Sequence, residues 1–195
     1  MNSKLWWYAT RSGGIVAWAL LAGSVLWGLA LSTKVLRGRP RPNWILDLHR
    51  FMGGLALVFT GIHVAAILGD TYVNFGLVEV LVPFTGTWHP DRVAWGIVAL
   101  YLLAAVEITS LLRRKLSKRT WRLTHYLSFP LFAFATIHGL VAGTDRHTFL
   151  LRWVVLLVAA LVTILSALRV AQAERHDLLT SPPSGAPPRR RTPTG

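Results

Sequence analysis

Four histidines at matched spacings are the residues of this sequence best suited to chemistry. His49 and His63 have thirteen residues between them, and His125 and His138 have twelve. On helices, the members of each pair would be roughly 20 Å apart, whereas the helical ligands of one zinc-type ion lie about three to five residues apart. Two sites are therefore expected, each taking one imidazole from each of two helices. That arrangement indicates two b-type haems, each with two histidine ligands.

Composition limits what else this chain can be. Of its 195 residues, 53% are hydrophobic and 15% are charged, yet the formal net charge is +13. A basic nucleic-acid-binding or disordered protein would have far less Leu, Val, Ala and Trp, so we expect no nucleic-acid partner. The chain has no cysteine, which excludes disulfides, iron–sulfur clusters and thiolate ligands. The composition predicts a membrane protein whose redox or metal chemistry depends on histidine.

The elements that must position the histidines are five apolar stretches, each close to the roughly 20 residues that a membrane span needs. We predict an all-α membrane protein, a five-helix transmembrane bundle. The first stretch is longer than the apolar region of a signal peptide and is read as a retained helix. The predicted spans are Gly13–Ser32, Ile45–Leu68, Val93–Leu112, Leu123–Ala142 and Phe149–Val170.

The distribution of Lys and Arg predicts the orientation, because cytoplasmic loops are enriched in both. With five spans, three segments on one side hold 16 of the 21 basic residues. The N-terminus is therefore predicted outside and the C-terminus in the cytoplasm, for a multi-pass protein of the cell membrane. The 16 residues are Lys34, Arg37, Arg39, Arg41, Arg50, Arg113, Arg114, Lys115, Lys118, Arg119, Arg122, Arg169, Arg175, Arg189, Arg190 and Arg191.

Three regions follow from this pattern. Residues 1–12 form an N-terminal segment, residues 13–172 the transmembrane haem domain, and residues 173–195 a disordered Pro/Arg-rich cytoplasmic tail. The tail is attracted to anionic membrane lipid or serves as a docking site for a partner. The partly apolar outer loop 70–92 forms either a short interfacial helix that covers the bundle or a loop packed against helix ends.

Both histidine-bearing helices run from inside to outside in this topology, so His49 and His125 share the inner level and His63 and His138 the outer level. Small residues on the second span lie within roughly 60° of His49, which favours either a haem face or close helix packing. On an ideal helix His125 and His138 would point about 140° apart, and Pro130 between them predicts a kink. The second-span residues are Met52, Gly53, Ala56 and Thr60.

With these residues in place, the sequence resembles the ferric reductase-like transmembrane domain family. That family includes the membrane cores of NADPH oxidases and ferric reductases and the haem subunit of methionine sulfoxide reductase systems. The motif is the two histidine spacings with the contexts LHRFMGG and LTHYLSFPLFAFATIHG, and the resemblance covers roughly Gly13 to Val170, closest to stand-alone bacterial members. It implies an inner haem iron bound by His49 and His125, and an outer one bound by His63 and His138.

The resemblance implies an oxidoreductase subunit that carries electrons from a cytoplasmic flavin-dependent reductase to an external acceptor. That acceptor is a ferric chelate, oxygen or a periplasmic protein. This chain has no nucleotide-binding motif, so we expect no flavin or NAD(P)H site in it and dependence on a separate reductase. NADPH oxidases have a further histidine one turn beyond the outer ligand, where Ile67 stands here. A dedicated superoxide generator is therefore not expected.

Several other residues have two interpretations. Arg50 and Arg122 either neutralise haem propionates or anchor the chain at the inner interface, and Arg146 and His147 either serve the outer site or are ordinary loop residues. Glu107 either pairs with a loop arginine or has a proton-linked role. Three alternative functions also stay open, namely a cytochrome b561-like quinol-linked carrier, a haem-free transporter of ions or metals lined by histidine, and an anchor that only recruits a partner enzyme.

Overall fold

The computed structural model describes residues 3–32, 43–70, 75–143 and 148–180, with side chains in the last range through residue 172. This part of the chain is helical, and five segments are long and apolar enough to cross a membrane, which confirms the predicted all-α class and number of spans. In hydrocarbon, helices satisfy every backbone polar group within the segment. The helices are α1 (Ser3–Ser32), α2 (Asn43–Gly69), α3 (Leu77–Leu81), α4 (Pro90–Leu111), α5 (Lys118–His125), α6 (Ser128–Ala142) and α7 (Phe149–Thr180).

Two helix boundaries differ from the predicted regions. Helix α1 begins at Ser3 rather than Gly13, so most of the predicted N-terminal segment belongs to the first helix. Helix α7 continues to Thr180, past residue 173, where the tail was predicted to begin. The rest of the tail and loop 33–42, with its four basic residues, lie outside the described residues.

The bundle is built from two closely packed pairs of helices. Helix α1 packs chiefly on α2, and α4 packs chiefly on α6, while α1 also contacts α6 and α7. In each pair one helix carries histidines and the other does not. The pairs meet in a buried core between the two histidine levels, which includes Leu29, Ala56, Leu131 and Phe132. Small residues such as Ala56, 1% exposed, allow this close approach.

The fourth span is interrupted between its two histidines, at Tyr126 and Leu127, where α5 ends and α6 begins. Pro130 explains the position of this break. Its ring has no amide proton and clashes with the carbonyl of the residue four positions earlier, which is Tyr126. The Tyr126 carbonyl accepts instead from the amide of Phe129, at 3.2 Å. The predicted kink is thus present, one turn before the proline.

The outer loop, residues 70–92, contains the short helix α3, which agrees with one of the two forms predicted for this loop. In α3, Val80 is buried while Leu77 and Val78 are exposed. The Tyr101 hydroxyl of α4 donates a hydrogen bond to the Leu81 carbonyl and ties α3 to the bundle.

Candidate functional site

The structure brings the four histidines of the spans together as two pairs. The ring centroids of His49 and His125 are 6.0 Å apart, and those of His63 and His138 are 6.4 Å apart. We call these the inner pair and the outer pair, after the predicted orientation. Two imidazoles that bind one metal ion from opposite sides, with metal–nitrogen distances of about 2 Å, would have centroids about 6 Å apart. Each pair therefore has a separation that would accept one metal ion between its rings.

Three of the four rings are oriented by backbone carbonyls of the neighbouring helix. Nδ1 of His49 lies 3.0 Å from the Ser24 carbonyl, and Nδ1 of His63 lies 2.7 Å from the Thr10 carbonyl. Nδ1 of His138 lies 3.0 Å from the carbonyl of Arg92. A carbonyl oxygen can only accept, so Nδ1 carries the proton in each bond. In a neutral ring, Nε2 then has a free lone pair, which is the form that binds a metal.

Each of these carbonyls is accessible because a glycine follows it by one helical turn. Gly14, Gly28 and Gly96 stand four residues after Thr10, Ser24 and Arg92, respectively. A helical side chain covers the turn before its own Cα, so a larger residue would cover the carbonyl. A Cβ atom at Gly96 would lie 2.8 Å from Nδ1 of His138, and one at Gly14 would lie 3.0 Å from Nδ1 of His63. We call each carbonyl and its glycine a histidine seat.

The histidine seats were not predicted from the sequence, although the sequence contains one signal for them. Gly14 and Gly28 on α1 are separated by fourteen positions, the same separation as His49 and His63 on α2. Because α1 and α2 are adjacent in sequence and closely packed, a shared repeat of this kind predicts that each glycine faces one histidine. The carbonyls themselves carry no sequence signal, since every residue has one.

His125 is the exception among the four. Its Nδ1 atom is buried and has no hydrogen-bond partner among the described residues. The ring instead stacks on Trp121, with centroids 5.2 Å apart and planes 20° from parallel. The Arg113 guanidinium lies 4.5 Å from the Trp121 ring centroid. A row of three side chains therefore connects the exposed turn between α4 and α5 to the inner pair.

A cavity of about 460 Å³ lies beside the outer pair and is lined mostly by apolar side chains. This volume is within the range of small-molecule and cofactor sites. Trp18 lines the cavity and donates a hydrogen bond from Nε1 to the Thr136 hydroxyl at 3.0 Å. Val80 of α3 and Trp88 form part of its wall. The cavity therefore has the size of a cofactor site, and His63 and His138 lie on its wall.

The two predicted arginines, Arg50 and Arg122, both lie on the exposed surface. Arg50 is exposed and forms a 3.6 Å ion pair with Asp47 on its own helix, and Arg122 is exposed as well. Their role at haem propionates stays a prediction. Arg146 and His147 lie outside the described residues. Two arginines that sequence analysis did not select, Arg11 and Arg152, line the outer cavity.

The small residues of α2 lie in two different environments. Ala56 and Thr60 line the outer cavity. Gly53 instead makes room for Glu107, because a Cβ atom at Gly53 would lie 2.6 Å from Oε1 of that carboxyl group. Within the described part of the chain, Glu107 forms no ion pair, so the predicted loop-arginine partner is not among these residues.

Among the described residues, no group of three or more His, Asp or Glu side chains could hold a metal ion. In comparisons with known proteins, one family model matches, described as "Ferric reductase like transmembrane component", over residues 13–136. No curated protein and no solved structure matches the chain. The matched range includes the inner pair and His63 and ends two residues before His138.

Proposed function

Since the chain belongs to the ferric reductase-like transmembrane component family, we propose that it is the two-haem subunit of a membrane oxidoreductase. His49 and His125 would hold the inner haem iron, and His63 and His138 the outer one. A b-type haem with two histidine ligands has no vacant coordination site, so the chemistry it supplies is transfer of single electrons. The subunit would carry electrons across the bilayer.

The observation that carries this proposal is the protonation state imposed on three of the four rings. A neutral imidazole buried in a helix bundle must hydrogen-bond its one N–H, and the nitrogen that does so decides which nitrogen keeps a free lone pair. Here His49, His63 and His138 each donate Nδ1–H to a backbone carbonyl, which leaves Nε2 as the unprotonated nitrogen of a neutral ring. Metal-binding histidines almost always have such a partner on the second nitrogen.

The other residues around each pair would orient the imidazole rings and shield the site from water. The seats on α1 and α4 hold the ring angles, while the apolar wall of the outer cavity excludes water. Shielding lowers the local dielectric constant and keeps electrons from leaking to solvent components. Arg11 and Arg152 line the same cavity and would attract carboxylate groups, either on the cofactor or on an acceptor.

The donor would be a flavin-dependent reductase that approaches the inner pair. From Leu112 to Ser128 the chain has six Lys or Arg residues and no Asp or Glu. All six are exposed, and Arg113 stacks on Trp121 next to His125. This basic turn would attract an acidic protein surface, and association would weaken with ionic strength. The external acceptor would be reached from the outer pair.

Spectroscopy of the purified full chain tests the proposal. We expect a reduced-minus-oxidised spectrum of b-type haem and two haems per chain, and His63→Ala should reduce the count to one. His89→Asn is the matched control, because His89 belongs to neither pair and asparagine tolerates its left-handed backbone, φ 41°. A colourless protein would contradict the proposal, and histidine-dependent ion flux by that protein in liposomes would support the transporter alternative.

A further inference from the structure

Helix α4 provides a histidine seat for His138 but none for His125. The seat of His138 is the Arg92 carbonyl, with Gly96 four residues later. The carbonyl fourteen residues further along α4, about 40° from the face of Arg92, is that of Val106, and the carbonyl of Ala105 comes one residue before it. Four residues after them stand Thr109 and Ser110, where the other seats have glycine.

One side-chain hydroxyl is shared between these two carbonyls. The Thr109 hydroxyl lies 2.7 Å from the Ala105 carbonyl and 3.2 Å from the Val106 carbonyl. Threonine commonly makes such a bond to its own helix. Here the hydroxyl lies against the carbonyl that stands fourteen residues after Arg92, while Nδ1 of His125 has no hydrogen-bond partner among the described residues.

We propose that Thr109 and Ser110 are positioning residues that deny His125 the backbone acceptor given to the other three histidines. This inference rests on the proposed function. The inner pair then has one ring fixed by a hydrogen bond and one fixed by stacking on Trp121. A hydrogen bond from Nδ1 makes an imidazole a stronger metal donor and fixes its orientation. The inner site is therefore built with a weaker ligand than the outer site.

Two measurable differences follow. A weaker imidazole donor stabilises oxidised iron less, so the inner haem has a higher midpoint potential than it would have with a complete seat. It is also released more readily, since loss of such a partner typically lowers metal affinity by about 10–100-fold. Electrons from the donor would enter at a site that is more easily reduced than it would be with a complete seat.

The test is to build the missing seat. The double variant Thr109→Ala/Ser110→Gly frees both carbonyls and removes the covering Cβ atom. The matched control is Thr163→Ala/Ser166→Gly on α7, because the hydroxyls of Thr163 and Ser166 also bond to their own helix, to the carbonyls of Ala159 and Val162. Both variants lose two hydroxyls and gain one glycine, so they weaken a helix equally.

We expect the α4 variant to lower the midpoint potential of the inner haem, leave that of the outer haem unchanged and slow inner haem release by about tenfold. The control should change neither quantity. Thr109→Ala alone, which keeps helix propensity high, should give a smaller shift in the same direction. Histidine NMR of the haem-free chain should independently show Nδ1 of His125 becoming hydrogen-bonded only in the α4 variants.

Unchanged inner potential, unchanged release and an unchanged His125 resonance in a variant that still binds two haems would overturn this inference while leaving the proposed function intact. Equal shifts in the α7 control would overturn it too, because the effect would then come from general helix weakening. A wild-type protein without haem would instead refute the proposed function. The two failures are therefore distinguishable in one series of samples.

Discussion

Substitution of Gly96 by alanine tests the histidine seat where its geometry is tightest. The added Cβ atom would lie 2.8 Å from both Cε1 and Nδ1 of His138, whereas ordinary contact begins at 3.4 Å. Nε2 would lie 2.9 Å away as well, so the new atom meets the face of the ring, which must shift by about 0.6 Å or tilt relative to its 3.0 Å bond to the Arg92 carbonyl. Because this misaligns the Nδ1 partner and displaces Nε2, we expect outer haem affinity to fall by about 10–100-fold.

The assay is haem content per chain after extended washing in detergent, followed by the rate of haem transfer to an excess of apomyoglobin. Gly96→Ala should retain the inner haem and lose the outer one. Gly54→Ala is the control, because nothing lies within 4 Å of its added Cβ and alanine favours the helix. Two haems with wild-type release rates in Gly96→Ala would refute the reasoning about seats.

Two further predictions rest on the same packing. Gly14→Ala should weaken the outer site more than Gly28→Ala weakens the inner one, because the new Cβ would lie 3.0 Å from its histidine in the first case and 3.2 Å in the second; haem release rates of the two variants measure this, and the reverse order would contradict it. Trp18→Phe removes the hydrogen bond to Thr136 but preserves the aromatic contact, so thermal unfolding in detergent should show a loss of about 1–2 kcal/mol; an unchanged midpoint would mean that this bond adds nothing to stability.

The sequence was sufficient to predict the five spans and which histidines lie next to each other, because hydropathy and helical spacing are properties of the chain itself. It was not sufficient for the angular relation of His125 and His138, since that depends on a break at Tyr126 and Leu127 rather than at Pro130. The Ser24 carbonyl was also beyond sequence reasoning. A backbone group becomes part of a site only when a neighbouring helix is placed against it.

The inner and outer pairs differ in their hydrogen bonding because the residue repeat of α1 and α2 is not the same as that of the fourth span. On α1 and α2 the repeat is fourteen residues, only about 40° short of four full turns, so each straight helix presents the same face twice and builds two seats. The thirteen-residue repeat of the fourth span is about 140° from a whole number of turns, yet His125 and His138 each lie against a histidine of α2, and the span is interrupted between them at Tyr126 and Leu127. Helix α4 is unbroken and still presents Val106 on the face of Arg92, fourteen residues on. The backbone for a fourth seat is therefore in place, and two side chains, Thr109 and Ser110, are what close it.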